Sequence, residues 1–477
     1  MIEGNKDVRD TRPVPMTRRD LIEAFGTACD LGSAGIFVGA GLSTAAGLPG
    51  WAALLEEPRQ ASDVPLNPDL PLMAEYILLE TTYSRARLEQ HILDRTIAAG
   101  VDATDSHRSL ARLGIDQVWT TNYDPLIERS DPDALIISRD NDARLIGTAR
   151  KTIIKMHGSI NPDGPIPTWD EPPVITRTDF ETYEDNHRRL WALLRASYLS
   201  KTLLFLGFSF SDPNIEILQR LARRHGTAAK DRHVTVMKRP GEDEPEALRA
   251  HNLRVGDLEA SGVRVHEVAS HGDLPGLLTA LVRRTRPPRL FISGSETDDT
   301  FDRSCKEMAR ALADRVEWEV CSLGGHAGWA TTRELARIRR AENTYNATRL
   351  VFHSRRKDEP PPREMDERIG TSVFDDLERE PLVRGLLDES RAVLVLGGGT
   401  RTDEEIAWAT EFGAGVVPVA ASGGTAGDYW DAHRASPPDL GGRQTDPAVW
   451  ERLGSDPDVA ARAAATLLAQ AMYSSGH

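Results

Sequence analysis

The stretch 35–51 limits the fold of this chain more than any other part of its sequence. An apolar run over 36–38 predicts a buried strand. The strand ends in Gly39-Ala40-Gly41, and the small residues from Ser43 onward predict the start of a helix. Backbone N–H groups of such a turn can approach phosphate oxygens, and a helix N-terminus adds partial positive charge. The pattern predicts a phosphate-binding turn, although a tight strand-to-helix turn without a ligand fits the same residues.

The order of strand, polar turn and helix recurs along the first 284 residues. Apolar runs near 117–120, 152–156 and 203–206 each lead into a polar or glycine-rich turn. Strands that alternate with helices indicate a mostly parallel, doubly wound sheet, in which ligands bind beyond the carboxyl ends of the strands. The residues that we expect to share this edge are Gly41, Asn122, His157 and Ser209.

The segment Arg283–Pro288 is polar and contains proline, which indicates a joint between two domains. We place a first domain at 1–284 and a second at 288–477. The second begins again with a strand and a small-residue turn, Ser293-Gly294-Ser295, and a later buried strand leads into Gly397-Gly398-Gly399-Thr400. The predicted fold class is therefore α/β, with two doubly wound, mostly parallel-sheet (Rossmann-like) domains in tandem.

Composition excludes several classes of function. The net charge of −15 argues against a general nucleic-acid binder. The three cysteines lie far apart, so neither a zinc ribbon nor a disulfide framework is indicated, and we predict no metal site. The first twenty residues are polar, and no apolar run approaches the roughly 18 residues that span a bilayer. We expect a cytoplasmic protein that does not bind membranes.

Four ordered motifs make residues 18–284 resemble the sirtuin family. These motifs are Gly39-Ala40-Gly41-Leu42-Ser43 with Gly47-Leu48-Pro49, Thr121-Asn122-Tyr123-Asp124, His157-Gly158-Ser159, and Gly207-Phe208-Ser209 with Asp212 and Asn214. The resemblance implies that NAD binds as the substrate. It places the first motif, including Gly39, Ala40, Gly41 and Ser43, at the diphosphate and assigns Gly207, Ser209, Asp212 and Asn214 to the same NAD-binding set. Asn122 and Asp124 would lie at the nicotinamide ribose, and His157 would be the general base.

Each of these polar residues has a simpler interpretation as well. An asparagine amide can position water or ribose hydroxyls, but asparagine is also common in turns. A histidine with a pKa near neutrality can accept a proton, but His157 could instead bond to backbone at the end of its strand. Asp124 precedes Pro125, so it could serve only as a helix cap.

Two departures from the sirtuin pattern concern the substrate. The chain lacks the paired cysteines of the zinc module of sirtuin deacylases, and Gly50-Trp51 stands where an arginine is usual. Both departures put an acyl-lysine substrate in doubt more than they do NAD. We therefore predict an NAD glycohydrolase that releases nicotinamide and ADP-ribose. The alternative is a protein deacylase or ADP-ribosyltransferase regulated by a nucleotide.

The second domain resembles the SLOG family of nucleotide-binding domains through its two glycine turns. Related phosphoribohydrolases carry a catalytic glutamate where Asp403 stands here, which favours binding over hydrolysis. The domain pair resembles the effectors of the Thoeris antiphage system, which implies a homo-oligomer (tetramer or larger) activated by a cyclic ADP-ribose isomer from a TIR-domain partner protein. The predicted effector-binding residues are Ser293, Gly294, Ser295, Arg368, Arg384, Gly397, Gly398, Gly399, Thr400, Asp403 and Glu404.

Overall fold

The chain forms two separate units, which are described here one at a time. A computed structural model describes residues 15–97, 101–162, 166–210, 212–224, 233–355 and 367–473. The first unit is Met1–Thr285 and the second is Arg286–His477. Each unit contains a parallel sheet with helices in the connections. The predicted fold class, two doubly wound α/β domains in tandem, is confirmed.

The first unit has a seven-stranded sheet in the order β3-β4-β2-β1-β7-β8-β9. Every neighbouring pair of these strands is parallel. A separate antiparallel pair, β5 and β6, follows the fourth strand. The strands are β1 (Ala34–Val38), β2 (Gln117–Thr120), β3 (Leu135–Ile137), β4 (Thr152–Lys155), β5 (Ser159–Asn161), β6 (Thr168–Glu171), β7 (Thr202–Leu206), β8 (His233–Lys238) and β9 (Val263–Val268).

Helices connect these strands and cover both faces of the sheet. The first begins with a capping box between Thr17 and Asp20. The α-helices are Arg18–Asp30, Gly41–Thr44, Trp51–Ala61, Leu70–Leu79, Arg85–Thr96, Asp105–Arg112, Leu126–Ser130, Arg177–Glu181, Tyr183–Asn186, Arg188–Ser200, Pro213–Arg224, Pro245–Ala260 and Leu274–Thr285.

Alternate residues of the central strands face opposite sides of the sheet, as the pleat requires. Phe37 and Trp119, which are paired across β1 and β2, belong to one buried cluster. Their neighbours Ile36 and Val118, also paired, belong to a second cluster. Because both faces are buried, the strands consist of continuous apolar residues, which is why the sequence pattern located them.

The second unit repeats this architecture with six parallel strands in the order β13-β12-β11-β10-β14-β15. The strands are β10 (Arg289–Ser293), β11 (Glu319–Ser322), β12 (Leu350–Arg355), β13 (Thr371–Asp375), β14 (Ala392–Leu396) and β15 (Gly415–Val419). The α-helices are Asp299–Ala311, His326–Ala341, Arg379–Glu389, Thr400–Glu411, Gly424–Ala432, Pro447–Glu451 and Pro457–Ala471.

Each sheet reverses its direction of growth beside its first strand. In the first unit the chain moves from β1 toward β2 and β4, and then returns to place β7 on the other side of β1. In the second unit β10 lies between β11 and β14 in the same way. Open α/β sheets bind ligands in the crevice at this switch point. The turns after β1 and β7, and those after β10 and β14, are therefore the places to search for ligand sites.

Glycine is required where the two turns of the second unit meet. Gly294 has φ +121°, and a Cβ atom there would lie 1.8 Å from the carbonyl oxygen of Leu396. No rotation of a side chain relieves this clash, because the neighbouring atom belongs to the backbone of β14.

We expect Gly294→Ala to destabilise the second unit by about 2–5 kcal/mol, from the backbone clash and the strained φ together. Gly385→Ala is the matched control, since nothing lies within 4 Å of a Cβ at that helical position. The control should change stability by no more than about 1 kcal/mol, in the stabilising direction. Urea denaturation of both variants measures the difference, and equal midpoints would contradict the role assigned to Gly294.

Candidate functional site

The glycine turn after β1 packs directly on the turn after β7. The N–H of Gly39 donates to the carbonyl of Leu206, and the N–H of Gly41 donates to the carbonyl of Gly207, each at 2.9 Å. A Cβ on Gly41 would lie 2.8 Å from Cα of Gly207. The N–H groups of Gly39 and Gly41 are therefore used within the fold, and the contact of this turn with the NAD diphosphate stays a prediction. Their lack of side chains permits turn-to-turn contact at the switch point.

Asn122 lies at the carboxyl end of β2 and faces the glycine turn. Its Nδ2 donates to Oγ of Ser43 at 3.0 Å, and both side chains are buried. Its backbone N–H donates to Oγ1 of Thr120, whose hydroxyl in turn donates to the carbonyl of Val38. Its Oδ1 atom is buried without a hydrogen-bond partner in the described part of the chain. The structure thus brings Asn122 and Ser43 together and leaves one amide acceptor available to a ligand.

His157 follows β4 and lies against Asp212. Nε2 of His157 is 3.4 Å from Oδ2 of Asp212, and both side chains are nearly buried. The ring stands edge-on to Phe180, with the ring centroids 5.1 Å apart. Burial lowers the pKa of His157, an effect that the Asp212 carboxylate opposes. Burial also raises the pKa of Asp212, which His157 opposes. A neutral imidazole, able to accept a proton, is therefore favoured at this position.

Asp212 and Asn214 begin the helix Pro213–Arg224. Oδ1 of Asp212 accepts the backbone N–H of Asn214 at 2.8 Å, as an N-cap does. Nδ2 of Asn214 is buried and has no hydrogen-bond partner among the described residues. Oδ1 of Asn122 likewise has no hydrogen-bond partner among the described residues. Nε2 of His157 has only the 3.4 Å approach to Oδ2 of Asp212.

The unpaired polar atoms at this edge of the sheet indicate that the site fits a polar ligand. Buried polar groups are nearly always hydrogen-bonded, and each exception calls for an explanation. Asn122 and Asn214 both follow carboxyl ends of strands in this sheet, so a ligand with hydroxyl and carbonyl groups would satisfy their unpaired amide atoms together. NAD carries such groups on its ribose and its carboxamide.

The remaining predicted NAD-binding residues of the first unit differ in their burial and in their contacts. Oδ1 of Asp124 accepts the N–H of Leu126 at 3.1 Å, so this buried carboxylate caps a helix. Gly207 has φ +61° and forms the contact with Gly41 described above. Ala40 precedes the short helix Gly41–Thr44. Ser209 is exposed.

Sequence reasoning missed Lys155, which holds the loop that carries Asn122. Lys155 is fully buried at the end of β4. Its ammonium group donates to the carbonyls of Tyr123 and Asp124, at 3.0 and 2.7 Å, and pairs with Glu128. The apolar run of β4 ends in this single lysine, and a charge at an inward position was the signal that could have drawn attention to it.

In the second unit the two glycine turns meet, and a polar network lies beside them. The N–H of Gly398 donates to the carbonyl of Ser295 at 3.1 Å. Oγ of Ser293 donates to Oε2 of Glu405 at 2.5 Å, and Oε1 of Glu405 accepts from Arg379 at 2.6 Å. The structure therefore brings together Ser293, Gly294, Ser295, Gly397, Gly398, Gly399 and Thr400.

Glu405 and Arg379 were not among the predicted effector residues. Asp403 is exposed, and the exposed Glu404 pairs with Arg379 at 2.8 Å. Glu405 is buried on the helix face that also buries Thr402 and Ile406. That face was readable from the spacing of these residues, whereas the family motif directed attention to Asp403.

The predicted arginines Arg368 and Arg384 do not lie at the glycine turns. Arg384 pairs with Glu411 at 2.7 Å, at the far end of the helix that starts with Thr400. Eleven residue steps of about 1.5 Å each separate Glu411 from Thr400 by roughly 16 Å. Arg368 precedes β13 and so lies toward the amino end of the parallel sheet. Both assignments are corrected by these positions, because the turns lie at the carboxyl ends.

In the part of the chain that the structure describes, no group of three or more His, Cys, Asp or Glu side chains could hold a metal ion. No helix of that part is long and apolar enough to cross a membrane.

Part of the first unit is similar to a known domain family. The SIR2-like domain family matches residues 116–255, which include Asn122, His157 and Asp212. The predicted resemblance to sirtuins is thereby confirmed.

Similar proteins extend the comparison beyond this domain. A protein named NAD(+) hydrolase ThsA from Enterococcus faecium is 33% identical over 308 residues, 60% of this chain and 62% of that protein. One of the same name from Bacillus cereus (strain MSX-D12) is 27% identical over 427 residues, 84% of this chain and 86% of that protein. The chain thus covers less than two thirds of the Enterococcus protein. Together with the SIR2-like match, these relatives show that the chain is similar to ThsA proteins.

A more distant relative is named Defense-associated sirtuin 2, from Bacillus subtilis. It is 22% identical over 241 residues, 49% of this chain and 23% of that protein.

Replacement of Lys155 by methionine tests the support of the Asn122 loop. Lys155→Met should cost on the order of 3–5 kcal/mol of stability, because it leaves Glu128 and two buried carbonyls without their donor. Lys201→Met is the control, since its partner Asp116 is 54% exposed. That change should cost about 1 kcal/mol or less. Chemical denaturation compares the two, and equal losses would show that the Lys155 contacts add no stability.

Proposed function

We propose that this chain cleaves NAD with water, releasing nicotinamide and ADP-ribose, in antiphage defence. The observation that carries the proposal is the pair of buried, unpaired amide atoms of Asn122 and Asn214 at the edge of the first sheet where His157 also lies. The names of the ThsA relatives support NAD as the substrate, and the name of the Bacillus subtilis relative supports defence.

The chemistry requires little acid catalysis. The bond from ribose C1′ to the nicotinamide nitrogen breaks, and its electron pair neutralises the cationic ring as it leaves. Water adds to C1′ and loses a proton, so NAD⁺ and water give nicotinamide, ADP-ribose and H⁺. The main demands are a positioned water, an acceptor for its proton and electrostatic support for the oxocarbenium-like ribose.

The side chains of the site meet these demands in separate ways. The free Oδ1 of Asn122 accepts a hydrogen bond from a ribose hydroxyl or from the attacking water. His157 accepts the proton, since burial favours its neutral form. The rings of Phe180 and Tyr183 beside His157 exclude bulk water from the reacting atoms.

We propose further that the second unit senses a cyclic ADP-ribose isomer, made by a TIR-domain partner protein, and that the chain acts as a homo-oligomer. The support from the structure is the pair of glycine turns at the switch point of the second sheet, with Arg379 beside them. A phosphate at these turns would gain backbone contacts and a guanidinium partner. A 100-fold preference of the signal for the active state would supply about 2.7 kcal/mol toward activation.

The first test is incubation of the purified chain with NAD and no protein substrate, with and without cyclic ADP-ribose isomers. Nicotinamide release is the expected result. His157→Ala and Asn122→Ala should each lower turnover on the order of 10²-fold or more. His251→Ala is the control, because that buried histidine pairs with Glu267 at 2.7 Å beside the sheet-edge strand β9.

Two results would overturn the assignment. Nicotinamide release only in the presence of an acylated peptide would favour the deacylase alternative. Near-normal turnover by folded His157→Ala would remove this residue as the base.

The second test compares two arginines of one helix. Arg379→Ala should abolish activation by the cyclic nucleotide and leave the unstimulated rate unchanged, because only Arg379 lies beside the glycine turns. Arg384→Ala should respond normally, since its partner is Glu411. Isothermal titration with each isomer measures binding directly. Normal binding by Arg379→Ala, or none by the unaltered chain, would contradict the sensor proposal.

A further inference from the structure

We propose that Asp212 is a positioning residue for His157: its carboxylate holds the Nε2–H of the imidazole and leaves Nδ1 to accept the proton from water. The resemblance had instead grouped Asp212 with residues that contact NAD. The catalytic part of this inference rests on the proposed NAD cleavage, whereas the orientation of the ring does not.

The two carboxylate oxygens of Asp212 have different partners. Oδ1 accepts the N–H groups of Asn214 and Ile215, at 2.8 and 3.4 Å, and so fixes the carboxylate at the start of a helix. Oδ2 is 3.4 Å from Nε2 of His157. This separation is longer than a well-formed hydrogen bond, as is common for catalytic pairs before a substrate binds. The helix cap therefore holds the carboxylate at the imidazole.

The chemistry of the pair determines which nitrogen carries the hydrogen. An ionised carboxylate can only accept hydrogen bonds, so the Nε2 atom that faces it must be the donor. In a neutral imidazole the other nitrogen, Nδ1, is then the acceptor. Nδ1 takes the proton of the attacking water, and the imidazolium that forms is stabilised by Asp212. The proton passes to solvent after the products leave.

Other groups around His157 fit this arrangement. Phe180 and Tyr183 contact the ring and are uncharged, so neither competes with Asp212 for Nε2. The charged or titratable groups that act on His157 are Asp212, His187 and Asp179. Asp179 already accepts from Arg85 and from two backbone N–H groups. Asp212 is therefore the carboxylate that is best placed to accept the Nε2–H of His157.

Asp212→Asn is the decisive variant because asparagine has the same shape and is an equally good helix cap. It removes the negative charge and replaces the acceptor oxygen that faces His157 by an NH2 donor. Asp69→Asn is the matched control, since Asp69 also caps a helix of the first unit through its side chain.

A readout that does not depend on turnover tests the orientation. In protein labelled with ¹⁵N-histidine, the signal of His157 is identified by its loss in His157→Gln. The full-length protein should show the Nε2–H tautomer. Asp212→Asn should shift the ring toward the Nδ1–H tautomer, because the asparagine NH2 group that faces Nε2 can only donate. A wild-type Nδ1–H tautomer would overturn the proposal even if the chain cleaves no NAD.

Kinetics test the consequence for catalysis. Asp212→Asn should lower kcat on the order of 10²-fold with little change in KM. The acidic limb of its pH–rate profile should move to lower pH, because loss of the carboxylate lowers the pKa of His157. Added to His157→Ala, the change should have no further effect, as for two residues that act as a unit. A raised KM with an unmoved limb would show instead that Asp212 contacts NAD. Asp69→Asn should leave kcat, KM and the limb unchanged.

Discussion

Close contact between two glycine turns is the constraint on which the rest of each unit depends. In the first unit Gly41 donates to Gly207, and in the second Gly294 lies against Leu396. These contacts join the strand that starts each sheet to the strand that returns beside it. Any side chain at these positions would push the strands apart at their carboxyl ends. Because every polar residue of the candidate site follows one of these ends, the geometry of the site depends on the same contacts.

Burial decides what the polar residues of the first unit can do. Lys155 is buried, but its ammonium group has two carbonyls and a carboxylate as partners, so it supports the loop and is not free to react. Asn122 and Asn214 are also buried, yet each keeps an amide atom without a hydrogen bond in the described structure. An unsatisfied polar group costs about 1–3 kcal/mol on folding. The cost at these two residues is explained if a ligand forms the missing hydrogen bonds.

The sequence predicted the parts of the fold that depend on continuous apolar runs. The expected strands 263–268 and 392–396 agree with β9 and β14. By contrast, the composition of 422–448 predicts a loop, yet this stretch contains the helix Gly424–Ala432, whose start is rich in glycine. The Pro, Asp and Asn residues of 57–70 also predict a loop, yet a helix continues through Pro58 to Ala61. Proline removes the bond to the carbonyl of Leu54, and His91 occupies that carbonyl instead. A contact between residues 37 positions apart cannot be read from local propensity.

The same limit explains the contrast between the two sites. Asn122 and His157 could be placed from sequence because each directly follows a recognisable strand, whereas partners of arginines depend on how helices pack. In the second unit Ser293, Glu405 and Arg379 bond to one another, so the place that corresponds to the unpaired atoms of the first unit is already satisfied. A ligand at that place would have to exchange these bonds for its own. The same architecture thus leaves buried polar atoms unpaired at the strand ends of the first unit and pairs them with one another at those of the second.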